Sequence, residues 1–155
     1  MSRLAWLAFS LSGRISRQTF WIALIVYFAV LIGGIAVIQP EYLTRAEIII
    51  PSFAHNVWML LMAWPSFAIT KKRLNDRDWP DWVFIGVVLI SAPFFIGPFF
   101  GLLIDPGTPA VWEQVMWVVF GVAMLLLLVD NGFMKGTDGP NRFGPDPQAP
   151  QPSRA

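Results

Sequence analysis

Lys71-Lys72-Arg73-Leu74-Asn75-Asp76-Arg77 breaks a long apolar run in two, and its reading decides the fold. Before it lies the apolar stretch Ile48–Ile69, and after it the stretch Trp82–Ile104. Two more such stretches cover Trp21–Ile38 and Ala110–Val129. Each is close to the ~20 residues that a helix needs to cross a hydrocarbon core about 30 Å thick. Further out, Arg3, Arg14 and Arg17 precede the first stretch, and Lys135, Arg142 and Arg154 follow the last. Ten of the eleven Lys and Arg residues therefore fall in alternate gaps, with Arg45 as the exception. Basic residues accumulate on the cytoplasmic side of membrane proteins with short loops. The sequence predicts an all-α polytopic membrane protein with four transmembrane helices and both termini cytoplasmic.

A chain of 155 residues with 55 % hydrophobic and 14 % charged residues is far from the composition of a soluble domain, where roughly a quarter of residues are charged. Residues 1–144 read as a single membrane domain, and 145–155 as a Pro-rich tail without apolar periodicity, expected to be disordered. With no cysteine, disulfides, thiolate metal sites and Cys nucleophiles are excluded. A single histidine cannot build a His-rich metal cage, so neither a metal nor a cofactor is expected. The predicted inner face is basic, which suits anionic lipid headgroups, but its arginines are interspersed with Asp and do not point to nucleic acid.

Ahead of the first crossing, Leu4, Leu7, Ala8 and Leu11 share a helical face with Trp6 and Phe9 beside it, the pattern of a helix lying in the headgroup region. His55 and Asn56 form a polar pair inside the second apolar stretch. Polar groups at that depth face a partner or a cavity. The simpler expectation is an interhelical hydrogen bond, and the alternative is a relay or ligand position. Pro65, Pro93 and Pro98 each remove a backbone donor and should bend or break their helices.

Three polar motifs map to the predicted cytoplasmic face. They are Gly13-Arg14-Ile15-Ser16-Arg17 leading to Phe20-Trp21, then Lys71 through Asp76, then Lys135-Gly136-Thr137-Asp138-Gly139-Pro140-Asn141-Arg142-Phe143-Gly144-Pro145-Asp146-Pro147. Their order and pattern resemble the YhaH/YhaI-like family of small bacterial inner-membrane proteins, the DUF805 family. The resemblance covers nearly the whole chain and implies a multi-pass protein of the bacterial inner membrane, with no activity to carry over. Asn75 stands where that family usually has histidine, and Arg77-Asp78-Trp79-Pro80-Asp81-Trp82 replaces its usual glycine-containing turn.

The candidate site is an Arg/Asp cluster of Arg14, Arg17, Arg73, Asp76, Asn141 and Arg142. It reads either as an ion-paired staple joining the N-terminal arm, the inner loop and a C-terminal hook, or as an arginine-lined pocket for a lipid phosphate. Arg73 and Asp76 can pair across one helical turn. No catalytic set is evident, because His55 is expected towards the outer half of the membrane, away from the cytoplasmic carboxylates, and the protein is not expected to be an enzyme. The leading expectation is an accessory or scaffold component that associates with another membrane protein or with itself. The alternative is a small transporter, a flippase-like protein or a lipid-binding protein.

Overall fold

The computed structural model describes residues 2–45, 49–102 and 109–149. Their regular structure is helical, with α1 at Arg3–Phe9, α2 at Arg17–Ile38, α3 at Glu41–Thr44, α4 at Phe53–Asp76, α5 at Asp81–Ile96 and α6 at Val111–Phe133. A 3₁₀ turn, Gly97–Phe100, extends α5, and no strand occurs among the described residues.

Serine starts three of these helices. Ser2, Ser16 and Ser52 each accept a hydrogen bond from the backbone N–H three residues on, at Ala5, Thr19 and His55 (3.2 Å in each case). Each satisfies a donor that the first turn leaves unpaired. At α6 the Glu113 carboxylate accepts from the Ala110 N–H at 2.9 Å, one half of a capping box.

Among the described residues, three helical stretches are long and apolar enough to cross a membrane: Arg17–Ile38, Asp81–Phe100 and Val111–Phe133. The expected second crossing differs from these three. Its helix begins at Phe53, because Pro51 cannot be a helix interior residue and Ser52 supplies the cap. Ile48 lies outside the described residues, as do Leu103 and Ile104 of the expected third crossing. The polar pair His55-Asn56 dilutes its apolar character, and the charged segment Lys71–Asp76 forms its last turns. Pro65 does not end the helix.

α4 is the centre of the molecule and packs against α1, α2 and α5. The α2–α4 contact is tightest at Gly34, where any β-carbon would overlap the Trp58 ring. Trp58 is fixed there by its indole N–H, which donates to the Leu31 carbonyl at 3.1 Å. A buried apolar cluster of Ile15, Phe20, Ala23 and Ile69, flanked by Trp6, Trp21 and Tyr27, sits next to the charged end of α4. Elsewhere the long helices are open, with 11 % of the apolar window buried in each of the three.

Candidate functional site

The charged end of α4 is where separate parts of the chain meet. Asp76, almost fully buried, holds two arginines. Arg14 Nε donates to its Oδ1 at 3.0 Å, and Arg73 Nη1 to its Oδ2. Burial pushes the Asp76 carboxyl above the ordinary carboxylate range, while the Arg73 and Arg14 guanidiniums pull it back down. Burial likewise lowers Arg73, against the attraction of Asp76.

The remaining donors of Arg73 go to backbone carbonyls, and to a particular kind of carbonyl. A helix leaves its last C=O groups unpaired and its C-terminus partly negative. At the end of α6, Arg73 Nε donates to Asn131 O (2.6 Å), the Trp21 indole to Gly132 O (3.0 Å) and Arg17 Nη1 to Phe133 O (3.0 Å). Arg73 Nη2 takes the next carbonyl, Met134. Around the end of α1 the pattern repeats. Lys72 donates to Leu7 O (3.0 Å), to Ser10 O and to Ala68 O (3.3 Å), and its ammonium lies 4.9 Å from the Trp6 ring centre. Trp64 donates to Phe9 O at 3.1 Å. Asn75 Nδ2 reaches Gly13 O at 3.0 Å and Leu11 O at 3.3 Å. The charged end of α4, helped by the start of α2, thus caps two helix C-termini that are remote in sequence. Lys72 has no exposed surface, and burial holds its ammonium down to about 8.

The segment after α6 closes over this centre as a hook. Thr137 donates to the Asp76 carbonyl through both its N–H (2.8 Å) and its hydroxyl (3.0 Å). Arg14 Nη2 donates to Thr137 O and Nη1 to Gly139 O, each at 2.7 Å. Asn141 donates to Asn75 O and to Thr137 Oγ1, both at 2.9 Å. A β-carbon on Gly136 would overlap the Asp76 carboxylate, and Gly139 and Gly144 take positive φ (+72° and +136°). Three glycines of the motif are therefore explained by contact and backbone geometry. Asp146 and Gln148, assigned to the tail by sequence, form a turn in which Asp146 accepts from Gly139 N and Gln148 N. These two bonds hold the Asp146 carboxyl below its ordinary range. Residues 150–155 of that tail lie outside the described ones.

Of the six residues expected in the cluster, Arg14, Arg73, Asp76 and Asn141 meet at this centre, and Arg17 reaches it through Phe133 O. Arg142 stands apart: its Nε pairs with Asp78 Oδ1 (3.1 Å), and its Nη2 donates to the Asp78 carbonyl. Asp78 has φ +56°, the left-handed region that glycine enters most easily. Arg142 thus clamps the one non-glycine residue with positive φ among those described. Arg77 and Trp79 both bind Asp130 on α6, at 3.0 and 3.1 Å, and Lys71 pairs with Asp81.

His55 and Asn56 are both buried near the opposite end of α4. His55 packs against Tyr42 in a tilted arrangement with ring centres 4.5 Å apart, and its Nδ1 has no hydrogen-bond partner among the described residues. The expected interhelical hydrogen bond from its ring is not formed at that atom. Beside it, Gln39 accepts from Ser52 N (2.9 Å) and donates to Ile50 O (3.1 Å), joining the two helix ends. The structure does not bring this pair and the Arg/Asp cluster together.

A cleft beside Arg17, Asp76, Lys135 and Thr137 encloses about 10 Å³, room for about one water molecule. Arg14 and Arg73 are committed to Asp76 and to carbonyls of their own chain. That arrangement is a clasp, and it leaves a phosphate group little space between the two arginines.

DUF805, described as a protein family of unknown function, matches residues 8–145. The chain belongs to the DUF805 family. It is also 30 % identical over 145 residues to the uncharacterized protein YiiR of Escherichia coli strain K12, covering 92 % of this chain and 88 % of that protein. YiiR of E. coli O157:H7 matches to the same extent. No solved structure matches significantly. The DUF805 match ends at residue 145, so it takes in the whole clasp from Arg14 to Gly144.

Proposed function

We propose that this DUF805 protein is a non-enzymatic, four-span component of the bacterial inner membrane, with both termini cytoplasmic, that serves as an accessory or scaffold partner of another membrane protein. In this reading the apolar part of α4 is the second of the four spans, and Lys71–Asp76 emerges from the bilayer as the clasp. The alternation of basic gaps supports that orientation. The observation that carries the reading is the destination of the clasp's donors. Arg14, Lys72, Arg73 and Asn75 hold the arm, the inner loop and the hook of their own chain. Their bonds fix an architecture, while the long apolar faces of α2, α5 and α6 stay open for lipid or protein. Arg17 and Arg142, each partly exposed, remain as contacts for anionic headgroups.

The test is purification of the tagged chain in mild detergent with mass spectrometry of what comes with it, alongside reporter fusions at both termini. A membrane protein recovered in stoichiometric amount, lost on substitution of an open face of α2 or α6, is the expected result. A chain that purifies alone and monomeric from several detergents contradicts the accessory reading. A reporter active outside the cell at either end contradicts the orientation.

A further inference from the structure

His55 is the chain's only histidine, and its ring nitrogen Nδ1 is buried without a hydrogen-bond partner among the described residues. A buried polar atom left unpaired is costly and calls for an explanation, a bound ion among them. We propose that His55 Nδ1 and the thioether of Met59 bind a soft monovalent cation, copper(I) or silver(I), with the Met62 thioether as a third donor.

Spacing carries the first part of the argument. Met59 and Met62 stand four and seven residues after His55, on the same face of α4. Side chains at i and i+4 have their β-carbons about 6 Å apart, within the span of an imidazole and a thioether that share one ion. Long helical side chains lean towards the helix N-terminus, so Met59 reaches back over the turn that carries His55. Both methionines are partly buried. Methionine often serves only to fill a gap in a core. A gap filler, however, leaves the unpaired nitrogen above it unexplained.

The donor set then selects the ion. Thioether sulfur favours copper(I), and imidazole suits copper as well. Structural zinc takes four ligands from Cys, His, Asp and Glu. Among the described residues no group of three such side chains is placed to hold a metal ion. A soft ion held by two or three neutral donors needs no His-rich cage. Access is short, because Tyr42, which packs against the imidazole, is itself 43 % exposed. The site lies at the opposite end of α4 from the clasp, and ion binding there does not depend on which side of the membrane it faces.

The full chain, purified in detergent and chloride-free buffer with nitrogen-labelled histidine and methyl-labelled methionine, is titrated with silver(I) and read by NMR. A single histidine gives one ring to follow, and no cysteine competes for the ion. The expected result is a large shift at Nδ1 and a small one at Nε2, saturating at one silver ion per chain. The methyl signals of Met59 and Met62 move with it, while that of Met134, beside the clasp, stays in place. In Met59→Leu, which nearly conserves side-chain volume, the Nδ1 shift is lost at the same silver concentration, and Met134→Leu keeps it. The methyl shifts come from the unsubstituted chain and so do not depend on how the variant folds. An Nδ1 signal or Met59 methyl that silver leaves unmoved overturns the site. An equal response to zinc(II) overturns the choice of a soft ion, and a Met59→Leu chain that binds silver like its parent overturns the thioether.

Discussion

Arg73 and Lys72, at the charged end of α4, expose nothing, whereas Leu125 and Leu126 on α6 are more than half open. The usual order of a soluble protein is inverted, with the charges inside and the large aliphatic groups outside. At the first place the chain is held by directional bonds to carbonyls and one carboxylate. At the second it presents surface whose cover must come from lipid or from another protein. The contrast shows where this fold keeps its specificity. Apolar helices in a bilayer gain little from burying one another, since lipid tails are as apolar as leucine. The helices are therefore set relative to one another by a polar clasp just beyond their ends.

Substitutions sharpen this contrast in a definite order. Asp76→Ala leaves Arg14 and Arg73 buried without their carboxylate, a defect of about 3–5 kcal/mol. Thermal unfolding in detergent should show the largest loss of the series there. Gly136→Ala drives a β-carbon into the same carboxylate and should cost about 1–3 kcal/mol, with protease sensitivity appearing in the hook.

Lys72→Met orphans the carbonyls at the end of α1, an expected loss of about 1–3 kcal/mol read from release of the N-terminal arm. It also gives a test by pH. Burial holds the folded Lys72 ammonium down to about 8, against 10.5 for a lysine in the unfolded chain, so between these values the unfolded chain binds more protons. Stability should therefore rise with pH across that window, and the rise should be missing from Lys72→Met.

Asp78→Gly relieves a left-handed backbone but gives up the exposed Arg142 pair, so a gain of no more than about 1 kcal/mol is expected. At the other extreme, Val118→Ala on the open face of α6 should stay within about 0.5 kcal/mol of the parent. A large effect at Val118, or none at Asp76, would break the contrast.

The long apolar helices were legible because twenty consecutive apolar residues have few other uses. Arg14, Arg73 and Asp76 were legible as a group because alternating basic gaps placed their segments on one face. What Lys72 does was not legible. Its neighbour Lys71, identical in type, pairs with Asp81, and nothing local tells which lysine turns inward. Helix position decides it: Lys72 and Asn75 lie three residues apart and so share the face that meets α1. The partner of Arg142, Asp78, was not legible for a similar reason. The turn at Asp78 is set by backbone geometry, which charge counting does not register. The serine caps at positions 2, 16 and 52 were visible in principle, each standing just before a helical run.

The central claim is that Arg14 ties the arm to the hook through Asp76, and amide hydrogen exchange of the reconstituted protein tests it most directly. In Arg14→Gln, residues 10–14 and 136–144 should lose protection together, while the long helices keep theirs. Unchanged protection in the hook, with loss of copurifying anionic lipid instead, would contradict the clasp and make Arg14 a headgroup ligand.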